Sequence, residues 1–259
     1  RYIYIEINHD TPFFDTVEER QAVSYAIDKN AIIEVIAAGR GQRATSVIYP
    51  GRSEANPDLE GYPHDPETAR ELLAESGWSD SDGDGVLEDA EGNPFSIELV
   101  VESDTTSTNR ALVIQQSLAD VGIEIEVLPV ESSILNSDYR WQGGGVEFDM
   151  FISGFSNLIV PPWLELWYLY TPEQAPSQTL RWSNETVTDL IFEIPGIFDA
   201  EERTQRFWEV QAIIEDEVPV VMLDRINATS AHNSTLSIPD SVDSIVDLFS
   251  SVPLWSFSS

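Results

Sequence analysis

The residues of this sequence most suited to chemistry are the carboxylates of a short acidic segment. Asp80, Asp82, Asp84 and Glu91 stand at positions one, three, five and twelve of one stretch, and Gly85 stands at position six. With this spacing, carboxylate oxygens surround calcium in a twelve-residue loop, where the glycine permits a sharp turn. The pattern therefore predicts a calcium site.

The same loop pattern supplies two further ligands. Val86 would offer its backbone carbonyl oxygen, and Glu88 would contact the ion through a water molecule. A structural calcium ion is thus the one cofactor that the sequence suggests, and none is required. The alternative is an acidic turn between a helix and a strand that holds no metal. Because a strand follows rather than a second helix, no opening of the calcium-sensor type is expected.

The sequence has no motif that predicts catalysis. His9, His64 and His232 are isolated from one another, and the chain has no cysteine, so a transition-metal site is not expected. There is neither a Gly-x-Ser-x-Gly elbow, nor a His-Glu-x-x-His motif, nor a phosphate-binding glycine loop. We therefore predict no catalytic residues and a protein that is not an enzyme.

Acidic side chains dominate the charge of the chain. Asp and Glu number 46 against 13 Lys and Arg, which gives a formal net charge of −33. A field of this sign repels nucleic acid and anionic membrane surfaces, so neither is expected as a partner. The acidic residues are scattered along the chain rather than gathered in one block. This favours a solvated surface adapted to concentrated salt over one cation-binding patch, and we expect a halophilic source.

A helix and a strand flank the acidic segment and must position it. Asp65 is a suitable N-cap, Pro66 suits the first helical position, and Gly77 can end the helix in a left-handed conformation. After the acidic segment, residues 95–102 alternate between apolar and polar side chains, which is the period of a strand with one buried face.

Strands and helices alternate along the rest of the chain. Residues 107–121 have helical spacing and lie between two predicted strands, which argues for a right-handed parallel crossover. The pattern predicts an α/β fold, and no apolar run approaches the roughly 20 residues that a bilayer span needs. The other predicted elements are strands at residues 2–7, 123–127, 148–153 and 218–223, and helices after the Thr16 and Glu19 capping box, at 30–38 and at 201–215.

Several stretches, in order, resemble the family 5 extracellular solute-binding proteins, the peptide, dipeptide and nickel receptors of ABC importers. The two most specific are Phe14-Asp15-Thr16-Val17-Glu18-Glu19-Arg20-Gln21-Ala22-Val23-Ser24-Tyr25-Ala26-Ile27-Asp28-Lys29 and Asp65-Pro66-Glu67-Thr68-Ala69-Arg70-Glu71-Leu72-Leu73. The others are Gly77-Trp78, residues 80–88, Phe148-Asp149-Met150 with Ser153-Gly154-Phe155, and the helix at 201–215 with its Val218-Pro219 exit.

The resemblance implies a fold and a domain organisation. It implies a type II lobe like those of periplasmic binding proteins, α/β in class, with a mixed sheet flanked by helices. Residues 1–234 would form the C-terminal lobe of a two-lobe receptor, beginning near the hinge strand. Residues 235–259 would form a tail that returns toward the missing N-terminal lobe.

The resemblance also implies a function. The chain would belong to the substrate-binding component of an ABC importer, which captures an oligopeptide or similar small solute between two lobes. Its partners would be that solute, the ABC permease in the membrane and the missing N-terminal lobe. The protein is expected to be a monomer, extracellular, and anchored to the membrane through a missing N-terminal segment.

The expected ligand face lies in residues 155–170, because loops after strand carboxyl ends line the cleft of open α/β folds. The predicted ligand-binding residues are Phe155, Ser156, Asn157 and Trp163. Peptide-binding relatives supply an aspartate for the ammonium group of the peptide just after the Gly-aromatic pair. Here no acid follows that pair before Glu165, which argues against recognition of a free amino group.

Two alternatives stay open at this point. One is an oligosaccharide-binding receptor of the same fold, since Trp163, Trp167 and Tyr168 could stack on a sugar. The other is a calcium-stabilised extracellular interaction module without a transport role. Ligand-dependent thermal shifts separate a receptor from an interaction module.

Overall fold

A six-stranded mixed sheet forms the centre of the molecule. The computed structural model describes residues 1–140, 148–155, 161–171, 181–226, 236–237 and 256–257. In space the strands follow the order β2-β6-β1-β5-β3-β4. Their bounds are β1 Tyr2–Ile7, β2 Gly41–Arg43, β3 Ser96–Glu102, β4 Glu124–Val130, β5 Met150–Phe155 and β6 Val220–Ile226, and a separate two-stranded sheet pairs β7 Leu236–Ser237 with β8 Ser256–Phe257.

The directions of the strands place four carboxyl ends at one edge of the sheet. β3 runs parallel to β4 and to β5, while β1 is antiparallel to both β5 and β6. Consequently β3, β4, β5 and β6 all end on the same side, where β1 begins. We call this side the carboxyl edge; it carries Arg1, Glu102, Val130, Phe155 and Ile226.

Helices cover both faces of the sheet, and side-chain caps begin most of them. Thr16 and Glu19 form the predicted capping box, with the Glu19 amide 3.3 Å from Thr16 Oγ1 and the Thr16 amide 2.9 Å from Glu19 Oε2. Asp28, Asp65, Asp104, Asn184 and Asp199 cap other helices. The helices are α1 Val17–Ala26, α2 Lys29–Ala37, α3 Pro66–Glu75, α4 Thr105–Ala119, α5 Ser132–Ile134 continuing as a π-helix over Leu135–Arg140, α6 Pro162–Tyr170, α7 Glu185–Glu193 with a 3-10 turn at Ile194–Gly196, and α8 Ala200–Glu217.

One face of the sheet packs against α1 to α4. Ile3, Ile5 and Ile7 of β1 lie in this core with Trp78, which is 7% exposed. The indole Nε1 of Trp78 donates to Glu19 Oε1 at 2.8 Å, so the residue after Gly77 ties α3 to the capping box of α1. Gly77 has φ +96, the left-handed conformation that the sequence predicted for the end of α3.

The other face packs against α6, α7 and α8. Tyr2 and Tyr4 of β1 point into this second core, together with Leu166 and Phe207. All six residues of β1 are therefore buried, Glu6 included. The predicted strand at residues 2–7 is confirmed, and both its aliphatic and its aromatic face are buried because β1 is a central strand.

The predicted fold class is confirmed. The predicted strands and helices differ from the structure in their boundaries, and β2, α6 and α7 were not predicted. The third strand of the crossover unit occupies Met150–Phe155 rather than residues 148–153, so Gly154 and Phe155 belong to the strand and not to the loop after it. α4 begins at Thr105 because Asp104 accepts hydrogen bonds from the amides of Thr106 and Ser107. Within the described residues, none of the helices has the length and apolar character needed to span a membrane.

Candidate functional site

A cavity opens at the carboxyl edge. It has a volume of about 400 Å³, within the range of small-molecule sites. We call it the edge cavity. Its walls come from the first residues of β1, the ends of β3, β5 and β6, the first turn of α4, and α5 with the turn after it; the lining residues are Arg1, Ile3, Glu102, Asp104, Thr106, Ser107, Arg110, Ser132, Leu135, Asn136, Ile152, Ser153 and Ile226.

Hydroxyl groups and two carboxylates give this cavity polar walls. The Asp104 carboxylate accepts from the amides of Thr106 and Ser107 at 2.8 and 3.1 Å, so it occupies the N-terminus of α4. The Ser132 hydroxyl donates to Glu102 Oε1. These bonds fix both carboxylates against the cavity wall, where they can accept further hydrogen bonds from a polar solute.

A buried ion pair lies beneath the edge cavity. Arg110 Nε donates to Asp224 Oδ1 at 2.9 Å, and both side chains are almost fully buried. Burial raises the pKa of Asp224, while the positive charge of Arg110 opposes that rise. The pair joins α4 to β6 across the sheet, so it holds the helix whose first turn lines the cavity.

Gly154 lets β1 and β5 meet closely at this edge. A Cβ atom on Gly154 would lie 2.6 Å from Ile3 Cδ1 and 2.7 Å from Arg1 Nε, both of which belong to cavity residues. Any larger residue here would have to displace them. The glycine of the Gly-aromatic pair is thus explained by packing.

The predicted ligand-binding residues that the structure describes lie on the opposite face of the carboxyl edge. The Phe155 ring lies 6.0 Å from that of Tyr2 and 5.5 Å from that of Tyr168, measured between centroids. Trp163, on α6, is half-buried in the same core. The rings of Tyr2, Phe155 and Tyr168 form one aromatic cluster, and Trp163 packs against the same core. The other two predicted residues, Ser156 and Asn157, lie outside the described residues.

Sequence reasoning missed the residues of the edge cavity. Glu102 and Asp104 end β3 and begin α4, and the rule for strand carboxyl ends would have placed them beside the loop after β5. Arg110 and Asp224 are 114 positions apart. Only the strand order brings those two together, so no local signal predicted them.

The acidic loop forms a compact cluster away from this edge. Carboxylate oxygens of Asp80, Asp82, Asp84 and Glu88 all lie within 4.8 Å of one another. Oxygens bound at 2.3–2.6 Å to one calcium ion can be up to about 5 Å apart, so the spacing fits that ion. Glu91 is not part of the group that the described residues form.

Hydrogen bonds within the loop shape this cluster. Asp80 accepts from the amides of Gly83 and Gly85, and Asp84 accepts from the amide of Val86 at 2.8 Å. Glu88 is 8% exposed, and its Oε2 accepts from the amide and hydroxyl of Ser81. Short isolated bridges pair Glu88 with Ser79 and with Pro94, so the loop is closed at its base.

Comparison with known proteins identifies the family. The family model described as bacterial extracellular solute-binding proteins, family 5 Middle, matches residues 1–177. The chain is also 30% identical over 224 residues to heme-binding protein A of Haemophilus influenzae. That alignment covers 83% of this chain and 38% of the relative.

Solved structures have the same fold. The oligopeptide-binding protein AppA from Bacillus subtilis, in complex with a nonapeptide, superimposes with a TM-score of 0.78 at 21% identity, covering 100% of this chain and 51% of that one. The periplasmic oligopeptide-binding protein of Thermotoga maritima, bound to mannohexaose, gives 0.78 at 22% identity, covering 91% and 46%. The chain thus spans about half the length of these proteins. By its sequence and its fold, this chain belongs to the bacterial extracellular solute-binding proteins of family 5.

Proposed function

We propose that the chain is one lobe of the substrate-binding component of an ABC importer, and that the carboxyl edge is its side of the solute site. The observation that carries this proposal is the edge cavity, of about 400 Å³, which lies where ligands bind in open α/β sheets. A second lobe would cover this edge, and closure about a hinge would trap the solute. The protein acts by binding, without catalysis.

The solute would be an oligopeptide or another small polar molecule. Hydroxyl groups and carboxylates line the edge cavity, and an aromatic cluster lies on the other face of the same edge. Relatives are named for or bound to heme, a nonapeptide and mannohexaose, so the family takes chemically different ligands. The aromatic cluster of Phe155 and Tyr168 keeps an oligosaccharide as the second candidate solute.

Partners and location follow from the receptor role. The receptor would work outside the cytoplasmic membrane as a monomer, held there by an anchor, and would deliver its solute to the permease of the importer. The lobe proposed here comprises residues 1–234, with residues 235–259 returning toward the second lobe.

The receptor role is tested with the full-length protein and a panel of solutes. Thermal unfolding is followed with pools of short peptides, with linear oligosaccharides and with heme, each in excess. Since a ligand that binds only the native state stabilises it, one class should raise the Tm in proportion to the logarithm of its concentration. Failure of every class to raise the Tm argues for the interaction module instead.

We also infer that the acidic loop holds a structural calcium ion. The support is the fit of four carboxylates to one ion, in a loop that joins α3 to β3. Such an ion would stiffen the connection without touching the solute, because the loop lies away from the carboxyl edge.

A further inference from the structure

The start of α7 carries a sequence that accepts N-linked glycans. Asn184, Glu185 and Thr186 form an Asn-x-Thr triplet whose middle residue is not proline. The chain has two further triplets of this kind, at 227–229 and 233–235, and both lie outside the described residues. Asn184 is therefore the acceptor whose surroundings the structure describes.

This triplet lies at the surface of the protein. Glu185 and Thr186 are exposed, and Asn184 is half-buried at the N-cap of α7. The first amide groups of a helix have no partners inside the helix, so its first turn opens locally at a low cost in free energy. A glycosyltransferase can therefore reach both the Asn184 amide and the Thr186 hydroxyl.

The cap of α7 leaves the reactive nitrogen of Asn184 free. Asn184 Oδ1 accepts from the amide of Val187 at 3.1 Å. Its Nδ2, the atom that receives an N-linked glycan, forms no hydrogen bond with the residues that the structure describes. Because the cap uses Oδ1 and the glycan is attached to Nδ2, the modified side chain still caps the helix.

Contacts of nearby residues place Asn184 toward the edge of the sheet opposite the carboxyl edge. Arg181 Nη1 donates to Asp10 Oδ2 at 3.0 Å, and Asp10 follows the end of β1, which begins at the carboxyl edge. His9 Nε2, beside Asp10, lies 3.1 Å from the carbonyl oxygen of Pro219, just before β6 begins. Asn184 follows Arg181 by three residues, which span at most about 11 Å of extended chain.

We propose that Asn184 carries an N-linked glycan, on the side of the lobe opposite the edge cavity. The donor is a lipid-linked oligosaccharide. Asn184 Nδ2 attacks the anomeric carbon of its first sugar, and the new C–N bond forms as the bond from that carbon to a phosphate oxygen of the lipid breaks. The lipid phosphate leaves, and one proton of Nδ2 passes to a base of the transferase.

Family and position both support this modification. The chain belongs to extracellular solute-binding proteins, and Asn-x-Thr acceptors are used on the surfaces of exported proteins. A glycan is bulky and hydrated, so it needs a position where no other part of the receptor packs. If the second lobe covers the carboxyl edge, as the proposed function has it, the opposite edge meets this condition.

Peptide mapping of the full-length protein tests the proposal. The protein is purified from the cells that naturally produce it and digested with trypsin, which cleaves after Arg181 and Arg203. The peptide 182–203 contains Asn184 and no other asparagine, and the other two triplets fall in a different peptide. We expect added sugar mass on this peptide, assigned to Asn184 by fragmentation. Recovery of the peptide only in its unmodified form overturns the proposal and leaves the receptor role untouched.

Three variants produced in the same cells separate the acceptor triplet from the helix cap. Asn184→Asp keeps an N-cap oxygen but has no amide nitrogen, so it should lose the glycan with α7 still capped. Thr186→Val should lose the glycan as well, because the triplet requires the hydroxyl, whereas Thr186→Ser should retain it. A sugar that persists in Thr186→Val, or that is absent from Thr186→Ser, contradicts an N-linked glycan at this triplet.

Solute binding tests where the glycan lies. Any solute that stabilises the wild type in the solute panel should bind Asn184→Asp with the same affinity, because the glycan lies away from the edge cavity. A change of roughly tenfold or more in the dissociation constant would place the glycan beside the solute and contradict its position at the opposite edge.

Discussion

At the scale of single residues, burial in the second core disfavours the ionised form of Glu165. Burial raises the pKa of Glu165 in the folded protein to about 7, above its ordinary value of 4.5. Between these values the folded state binds more protons than the unfolded chain, so the free energy of unfolding falls as the pH rises from 4.5 to 7. The loss is at most about 3.5 kcal/mol, since one pKa unit corresponds to about 1.4 kcal/mol.

The Glu165→Gln variant should remove this loss. We expect it to match the wild type at pH 4 and to exceed it in unfolding free energy at pH 8, as measured by urea unfolding. His9, whose pKa burial lowers to about 4, is present in both proteins, so its opposite pH dependence cancels in the difference. A difference between the two proteins that stays constant from pH 4 to pH 8 contradicts this account of Glu165.

Removing one partner of the buried Arg110–Asp224 pair should destabilise the protein strongly, whereas replacing both partners with apolar residues should destabilise it much less. Asp224→Asn leaves the Arg110 charge buried without its partner, so the free energy of unfolding should drop by about 3–5 kcal/mol. The double variant Arg110→Met with Asp224→Leu removes both charges and should recover most of that loss. Denaturant unfolding of the wild type and these two variants measures both losses, and equal losses in the single and double variants would speak against a charge effect.

At the scale of elements, the sequence was enough to predict helix caps and helix ends, in which a residue interacts with the backbone of its own segment. The Thr16 and Glu19 box, the Asp65 cap and the left-handed Gly77 all appear as predicted. The boundaries of β5 moved by two residues because pairing with β1, which the sequence does not show, decides where that strand ends. Pairing also buried both faces of β1 and assembled the edge cavity from elements far apart in the chain.

The same difference between local and long-range contacts decides which site residues the sequence could predict. The aromatic residues Phe155 and Trp163 lie within a single segment after one strand, so the sequence alone could propose them, and their role in binding stays a prediction. Arg110 and Asp224, beneath the edge cavity, meet only because the strand order brings α4 and β6 together. Such contacts cannot be predicted from composition or spacing.

The cap of α1 gives an element-scale prediction. Thr16→Ala removes the hydroxyl that accepts from the Glu19 amide, so the free energy of unfolding should fall by about 1 kcal/mol. Thr105→Ala changes an exposed threonine at the start of α4 and should shift stability by less than about 0.5 kcal/mol. Thermal unfolding of both variants measures these changes, and equal changes would mean that the capping bond adds nothing to the stability.

The acidic loop gives a second prediction at the scale of elements. Calcium at 100 times its dissociation constant should stabilise the wild type by about 2.7 kcal/mol, and the triple variant of Asp80, Asp82 and Asp84 to Asn should lose that response. A control with Glu67, Glu71 and Glu201 changed to Gln removes the same charge elsewhere and should keep it. Calorimetry with calcium and unfolding curves report the effect; an unchanged response in the triple variant excludes this loop as the calcium site.

At the scale of the whole molecule, the net charge of −33 governs the response to salt. Repulsion between scattered acids destabilises the compact state, and raising the salt from 0.1 M to 1 M shortens the Debye length from about 10 Å to 3 Å. The Tm should therefore rise steeply with sodium chloride over this range. Sucrose at equal osmolality controls for solute exclusion. A Tm that is flat or falling with sodium chloride contradicts salt adaptation.

The central claim is that the carboxyl edge of this chain holds the solute, and a cavity-blocking variant tests it most directly. Ser107→Tyr fills the edge cavity from the first turn of α4, whereas Thr105→Tyr places the same ring on an exposed position outside it. The measurement is native mass spectrometry of the full-length proteins incubated with a defined pool of tri- to pentapeptides and oligosaccharides. We predict complexes of one solute per protein for the wild type and Thr105→Tyr, and their loss in Ser107→Tyr. Equal retention of solute by all three folded proteins would contradict a solute site at this edge.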